Sequence, residues 1–293
     1  MTDSTPVAAP GVSYDKERSA LQELQKTPVG GRLRFHWREW RKIGASKRIC
    51  HWLRRGFGLP FLHGEETRAR GLFRTACPPS LALLYTNPVK HRAILDLLQQ
   101  LLDKSVIERV APTVACLHNI VFLRPKPNGT WRLILDVSAL NKFLRVKTFK
   151  MDSAQVVRDA ILPNTWATSV DWSDAYHHVP VHPNYVDFLA FQYAGVRYRY
   201  RCCPFGLSPL PQVFTEICLP LKAHVRDTWR VHVFQYLDDW LFASPSAPLS
   251  STVTRWFVQL CVILGLGVNL EKSCLLSSRR LIHLGVEWDF EFA

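Results

Sequence analysis

Apolar and polar positions change register several times along this chain, and each change predicts an element. Residues 1–30 scatter Pro, Ala and Ser among polar positions, which predicts a loose lead-in. In HRAILDLLQQLLDKSVIERV, from His91, the residues Ile94, Leu97, Leu98, Leu101 and Leu102 recur at three- and four-residue spacings. That spacing puts them on one face of a helix. HNIVFLRPK and TWRLILDVS follow as two strand-like runs joined by Pro127-Asn128-Gly129, and Asn-Gly between such runs signals a hairpin because both tolerate positive φ. Further strands are predicted at WATSVDW, FLAFQY, VRYRYR and HVFQYL/WLFAS, and helices at 208–225 and 249–264, the second ending at Gly265. No internal repeat is visible. Helices and strands intermix, giving an α+β or α/β class, and the hairpins favour an antiparallel sheet.

Composition adds a partner. The 293 residues are 47% hydrophobic, enough for a sizeable core, and carry a net charge of +13. A balance that basic points to a polyanion, nucleic acid before membrane. Residues 31–75 hold twelve Lys/Arg against three Asp/Glu, a net of +9. There GRLRFHWREWRKIGASKRICHWLRRGFGLPF interleaves arginines with Phe35, Trp37, Trp40, Trp52 and Phe57. This stretch is either core helix with a solvated basic side or a contact for phosphates and stacked bases, each stacked base contributing about 1–3 kcal/mol. None of the eight cysteines is in CxxC spacing, and MTDSTPVAAPG lacks an apolar core, so it is not a secretory signal. WFVQLCVILGLGV is too short and interrupted to span a bilayer. Reduced thiols and a cytoplasmic or nuclear location, without membrane, are expected.

Two adjacent carboxylates break the apolar run FQYLDDWLF. At an effective dielectric near 20, two unit charges about 4 Å apart repel by roughly 4 kcal/mol. A solvated hairpin turn would accommodate Asp238 and Asp239, but the apolar flanks argue against one. A divalent cation reverses the sign, since carboxylates are hard oxygen ligands. TSVDWSDAYHHVPVHP supplies a second acidic site, with Asp171 ending a strand-like run and Asp174 after it. Asp171 beside Asp238 and Asp239 would form a three-carboxylate cluster, of the kind that holds two Mg²⁺ about 3.5–4 Å apart and serves phosphoryl transfer. Pro180 interrupts any helix that would align His177, His178 and His182, which weighs against zinc.

YLDD at 236–239 resembles the Y-x-D-D box of reverse transcriptases. VDWSDAYHHVPV resembles their first palm motif, PFGLSPLPQVF the second, RPKPNGTWRLILDVSALN the fingers hairpin, GLGVNLEKS the fourth palm motif and HLGVEWD the primer grip. Six motifs run in family order over residues 119–289. The resemblance implies an α+β right-hand polymerase of fingers and palm, an antiparallel palm sheet flanked by helices, and RNA-directed DNA synthesis. Template, primer and deoxyribonucleoside triphosphates would be its partners, and two Mg²⁺ (Mn²⁺ as a substitute) its cofactors. By the resemblance Asp171, Asp238 and Asp239 bind metal, and Lys272 protonates the departing pyrophosphate. Lys126 and Arg132 reach the triphosphate, and Asp174, Ala175, Tyr176, Phe205 and Gly206 form the nucleotide site. Tyr176 stands where an aromatic excludes a 2′-hydroxyl, and Leu284 and Gly285 belong to the primer grip.

Blander roles stand beside these: Arg132 as an exposed strand residue, Lys272 as a solvated lysine, Tyr176 as a core aromatic. The domains read as a flexible lead-in at 1–30, a basic aromatic segment at 31–88, and fingers and palm at 89–293, with no thumb or RNase H segment read. PVGGRLRFHWREWRKI is most similar to DIRS-like retrotransposons, which integrate with a tyrosine recombinase. Two rivals remain. A catalytically incomplete or co-opted fragment would grip RNA/DNA duplex without extending it. An RNA-dependent RNA polymerase is the other, and Tyr176 argues against it.

Overall fold

The structure, a computed structural model, describes residues 14–81, 85–126 and 129–291. In chain order it forms α1 (Asp15–Gln25), α2 (Leu33–Lys42), α3 (Lys47–Arg55), α4 (Glu65–Arg70), α5 (Pro88–Asp103), β1 (Ile107–Arg109), β2 (His118–Pro125), β3 (Trp131–Asp136), α6 (Ser138–Asn141) and α7 (Ala154–Ala160). There follow β4 (Trp166–Asp171), β5 (Ala190–Tyr193), β6 (Val196–Tyr200), α8 (Leu210–Trp229), β7 (His232–Tyr236), β8 (Asp239–Ser244), α9 (Ala247–Ile263), β9 (Cys274–Ser278), β10 (Arg280–His283) and β11 (Val286–Asp289).

The expected antiparallel palm sheet is present, with strand order β7-β8-β4-β9. Period-two alternation sorts its side chains to two faces. On one face Trp240 and Phe242 lie 5.1 and 4.6 Å, ring to ring, from Phe257 of α9, and Trp172 meets Phe214 of α8. On the other, Leu241 and Ala243 cluster with Leu281, Trp288 and Phe290 around the β10–β11 hairpin. Fully burying a side chain of this size stabilises by about 1.5–3 kcal/mol, so both faces hold the sheet.

A second sheet runs β1-β6-β5-β2-β3 and contains one parallel pair, β2 with β5. Its β2–β3 hairpin pairs from Ile120↔Asp136 to Pro125↔Trp131, as the two apolar runs predicted. Of the expected turn, Pro127 and Asn128 lie outside the described residues, and Gly129 has φ 76°.

Three expectations need correction. The lead-in is not loose throughout, because Asp15–Gln25 is a helix docked on α9. Its stripe Glu17, Leu21, Leu24 is buried, and Glu17 accepts a hydrogen bond from Gln259 Nε2 at 2.7 Å. Residues 1–13 lie outside the described residues. The helix predicted through Val110 stops at Asp103, since Ser105 takes φ 55° and Ile107–Arg109 join a sheet, Ile107 opposite Tyr200. FLAFQY starts inside a 3₁₀ turn over Pro183–Leu189, and only Ala190–Tyr193 is strand.

Gly30 joins the N-terminal helices to the end of α5. Its N–H donates to Lys104 O at 2.9 Å, and a Cβ there would stand 2.0 Å from Ser105 O. Among the described residues no helix is long and apolar enough to cross a membrane. All eight cysteines are free thiols.

Candidate active site

The register of the palm sheet places the acidic residues. Tyr236 pairs with Asp239, so Leu237 and Asp238 form a two-residue loop, and Asp171 lies opposite Asp239 on the adjacent strand. Leu237 has φ 54°, a conformation that is rare for a bulky residue and costs on the order of 1–3 kcal/mol. The surroundings hold it. Trp172 N–H donates to Asp238 O at 3.2 Å, and Gln235 Nε2 donates to Leu237 O at 3.3 Å. Gln235 N–H donates to Asp152 Oδ2 at 2.8 Å, and Lys222 pairs with the same carboxylate. Asp171 is fixed through its backbone: its N–H donates to Ser273 Oγ at 3.0 Å and its carbonyl accepts from Asn269 N–H at 2.8 Å.

Asp171 and Asp238 face a cavity of about 540 Å³ that Lys126, Arg132, Asp174, Ala175, Phe205 and Lys272 also line. Burial raises the Asp171 carboxyl above its ordinary value, against the nearby Lys272. Burial raises Asp238 too, and repulsion from Asp171 adds to it. Asp239 is pushed up to about 6, by burial first and then by Asp238 and Asp171. Its carboxyl hydrogen-bonds that of Asp171. Asp239 lines a neighbouring cavity of about 300 Å³ together with Lys272, Leu284 and Gly285. Among the described residues no set of three His, Cys, Asp or Glu side chains gathers closely enough to hold a metal ion. The donor chemistry still fits a divalent cation. These are hard anionic oxygens, held together against burial and mutual repulsion, and a cation would relieve both.

The other expected residues divide between lining and support. Lys126 and Arg132 come from the β2–β3 hairpin and its loop, across the cavity from the carboxylates. Asp174 has φ 52° and binds Lys104 Nζ at 2.6 Å, with His177 Nδ1 at 3.8 Å. Burial alone would raise its carboxyl, but the neighbouring His177 and the hydrogen bond from Lys104 outweigh that and hold it well below the usual range. Phe205 exposes 44% of its surface at the cavity. Tyr176 does not reach the cavity wall: it is buried behind Phe205, with ring centroids 4.9 Å from Phe205 and 5.1 Å from Phe214. Gly206 supports rather than lines. Its φ is +100°, its carbonyl accepts from Asn141 Nδ2 at 2.8 Å, and a Cβ would crowd Leu135 O at 3.3 Å. Leu284 and Gly285 make the β10–β11 turn, both at positive φ.

Lys104 and Trp131 also line the cavity without any sign in the sequence, and His177 lines it in a role other than the one its sequence suggests. Lys104 looks like an ordinary lysine just past a helix end. Trp131 sits in an alternating strand like any packed aromatic. His177 drew attention as a metal ligand and instead contacts Asp174.

A carboxylate-bearing hairpin at the end of a helix-backed antiparallel sheet, facing a basic hairpin across a cavity, defines the fingers and palm of a right-hand polymerase fold. The chain belongs to the reverse transcriptase (RNA-dependent DNA polymerase) family, which matches residues 124–288, more than half its length. It is 28% identical over 215 residues to the Gag-Pro-Pol polyprotein of Human T-cell leukemia virus 3 (strain Pyl43), covering 69% of this chain and 14% of the polyprotein. It is also 28% identical over 159 residues to the Transposon Tf2-3 polyprotein of Schizosaccharomyces pombe, covering 54% of this chain and 12% of that one. The chain thus spans about a seventh of the curated relatives it matches. Among solved structures it resembles the foamy viral protease-reverse transcriptase in complex with double-stranded DNA, with TM-score 0.62 and 17% identity over 98% of this chain and 47% of that one. The same enzyme in complex with an RNA/DNA hybrid gives 0.58 at 17% identity, over 98% of this chain and 36% of that one.

Proposed function

We propose that this chain carries RNA-directed DNA polymerase activity, joining deoxyribonucleoside monophosphates to a primer 3′-hydroxyl on an RNA or DNA template. The observation that carries the reading is the meeting of Asp171 and Asp238 with Lys126, Arg132 and Lys272 around one cavity. Lys126 and Arg132 would bind the triphosphate as cations on a hairpin. Lys272 borders both cavities, so its ammonium would be within reach of the departing pyrophosphate as a proton donor. Phe205 would contact the nucleotide directly, with Tyr176 setting the position of that ring from behind. The Leu284–Gly285 turn would hold the primer near Asp171 and Asp239.

Asp171, Asp238 and Asp239 would hold two Mg²⁺, or Mn²⁺, whose positive charge lowers the cost of forming the attacking alkoxide and the leaving pyrophosphate. Asp239 would have to release Asp171 to join them. PVGGRLRFHWREWRKI supports a finer placement beside DIRS-like retrotransposons, which a neighbouring tyrosine-recombinase reading frame in the source element would test.

Primer extension on a homopolymer RNA template with Mg²⁺ tests the activity. The parent should extend, and Asp238→Asn should lose several orders of magnitude. A variant within about tenfold of the parent would remove Asp238 from the chemistry. A parent that binds primer–template without extending it would favour the duplex-gripping fragment instead.

A further inference from the structure

The basic segment is built differently from a base-stacking platform. Trp40 is fully buried and donates its indole N–H to Leu264 O at 3.0 Å. Trp52 packs edge-on against Phe57, and Trp37 has the guanidiniums of Arg38 and Arg54 over its ring at 4.9 and 5.2 Å. The tryptophans are thus engaged in packing. The cations are what remain available. Residues 33–55, which span α2 and α3, contain eight Lys/Arg and one carboxylate, Glu39, a net of +7. Lys42 pairs with Glu39 at 2.8 Å. Arg48 pairs with Glu216, which fastens the two helices to α8.

Between α2 and α3 lies a cavity of about 340 Å³, walled by Arg41, Lys47, Arg54 and Arg55 with His51 and Trp37. No carboxylate lines it, and no ion pair engages any of the four cations among the described residues. It shares no lining residue with the catalytic cavity and lies outside the family match at 124–288. Four unneutralised cations around one hollow repel one another, and a guanidinium stacked on a ring keeps its N–H edge for a partner. An anionic chain with charges spaced along it relieves that repulsion better than a single small ion would. We propose that the α2–α3 cavity is a second nucleic-acid site, which binds the phosphate backbone of a strand outside the catalytic cavity without reading its bases. An anionic lipid surface fits less well, because the cations line a hollow rather than a flat face.

The test uses the full chain and a fluorescent, 3′-blocked single-stranded 20-mer, with affinity read by anisotropy from 50 to 200 mM salt. Each phosphate contact on a single strand adds about −0.7 to the slope of log K against log salt. The variant Arg41→Gln/Lys47→Gln/Arg54→Gln/Arg55→Gln should flatten that slope by about 3. Over a fourfold salt range the parent should then lose about sixtyfold more affinity than the variant. The charge-keeping variant Arg41→Lys/Arg54→Lys/Arg55→Lys should retain most of the slope. If the quadruple variant fails to fold, Arg54→Gln/Arg55→Gln should give about half the change. An unchanged slope in a folded variant overturns the site. So does a loss of binding to phosphatidylserine vesicles with oligonucleotide binding intact, which would mark a lipid surface. The polymerase reading stands or falls separately, because extension at saturating primer–template should be unaltered in these variants.

Discussion

His178 offers a quantitative test of how the first palm motif is held. It is fully buried; its Nδ1–H donates to Ala175 O at 3.1 Å and its Nε2 accepts from Gly267 N–H at 3.0 Å. Both bonds together require the neutral ring. Burial lowers its pKa to about 3, helped by Arg32 and opposed by Asp174. In the unfolded chain the same ring returns to about 6.5. The unfolded state therefore binds the extra proton between those values. The contribution is intact above pH 6.5 and is lost as pH falls toward 3. At pH 5 the unfolded ring is almost wholly protonated and the folded ring still neutral, so the loss is about 1.5 pH units at 1.36 kcal/mol each, or about 2 kcal/mol. Any folded value below about 4 gives nearly the same figure.

The perturbation is His178→Gln, which should cost about 1–3 kcal/mol at pH 7.5 through the disturbed hydrogen bonds. Denaturant unfolding of parent and variant at pH 7.5 and 5.0 should show that deficit shrink by about 2 kcal/mol at the lower pH. His283, held near 4 by burial, acts with the same sign but cancels in the comparison. A deficit equal at both pH values would mean that His178 is not a buried neutral link.

Other expectations follow from the same geometry. Asp239→Asn should stabilise the protein at pH 7.5 without divalent cations. Its folded value near 6 makes the parent carboxylate a contributor below about pH 4 that is lost as pH rises through 6. Two units at 1.36 kcal/mol, cut for solvent screening, give a gain of about 1–2 kcal/mol, and equal melting temperatures at pH 7.5 would refute it. Gly30→Ala should destabilise by more than about 2 kcal/mol, because its Cβ meets backbone rather than a movable side chain; a melt within 2 °C of the parent would contradict the close approach. Phe205→Ala should raise ribonucleotide use relative to deoxyribonucleotide use at least as much as Tyr176→Val, since Phe205 faces the cavity. Single-turnover incorporation of both sugars decides it, and a change confined to Tyr176→Val would make Tyr176 the contact. Lys272→Gln should slow incorporation more than it weakens nucleotide binding, and an effect on binding alone would exclude proton transfer.

The palm was legible because its signals are local. Two apolar runs around a two-residue break set the β7–β8 register, and the apolar run ending at Asp171 pairs as β4 along β8, which brings Asp171 opposite Asp239. What stayed hidden depends on side-chain direction and distant partners. Asp238 sits in the two-residue loop and Asp239 begins β8, so they reach different cavities even though they look equivalent as a pair. Motif position puts Tyr176 under the sugar, and nothing local says that Phe205, some thirty residues on, packs against its ring. The helix at 15–25 was missed because its stripe is only Glu17, Leu21 and Leu24, and a buried glutamate does not look apolar. The end of α5 is hard to see because Val106 and Ile107 continue a helical hydrophobic rhythm while Ile107 already opens a strand.

The docking of α1 has a consequence for synthesis. Glu17 meets Gln259 across 242 positions of chain, and Tyr14 OH donates to Leu275 O across 261. At translation rates of about 5–20 residues per second, α1 leaves the ribosome about 12–50 s before the surface that receives it. During that interval α1 lacks the helix it docks on. A helix made well before its partner is then the later of the two to settle, and it docks on α9 only once that helix has been synthesised.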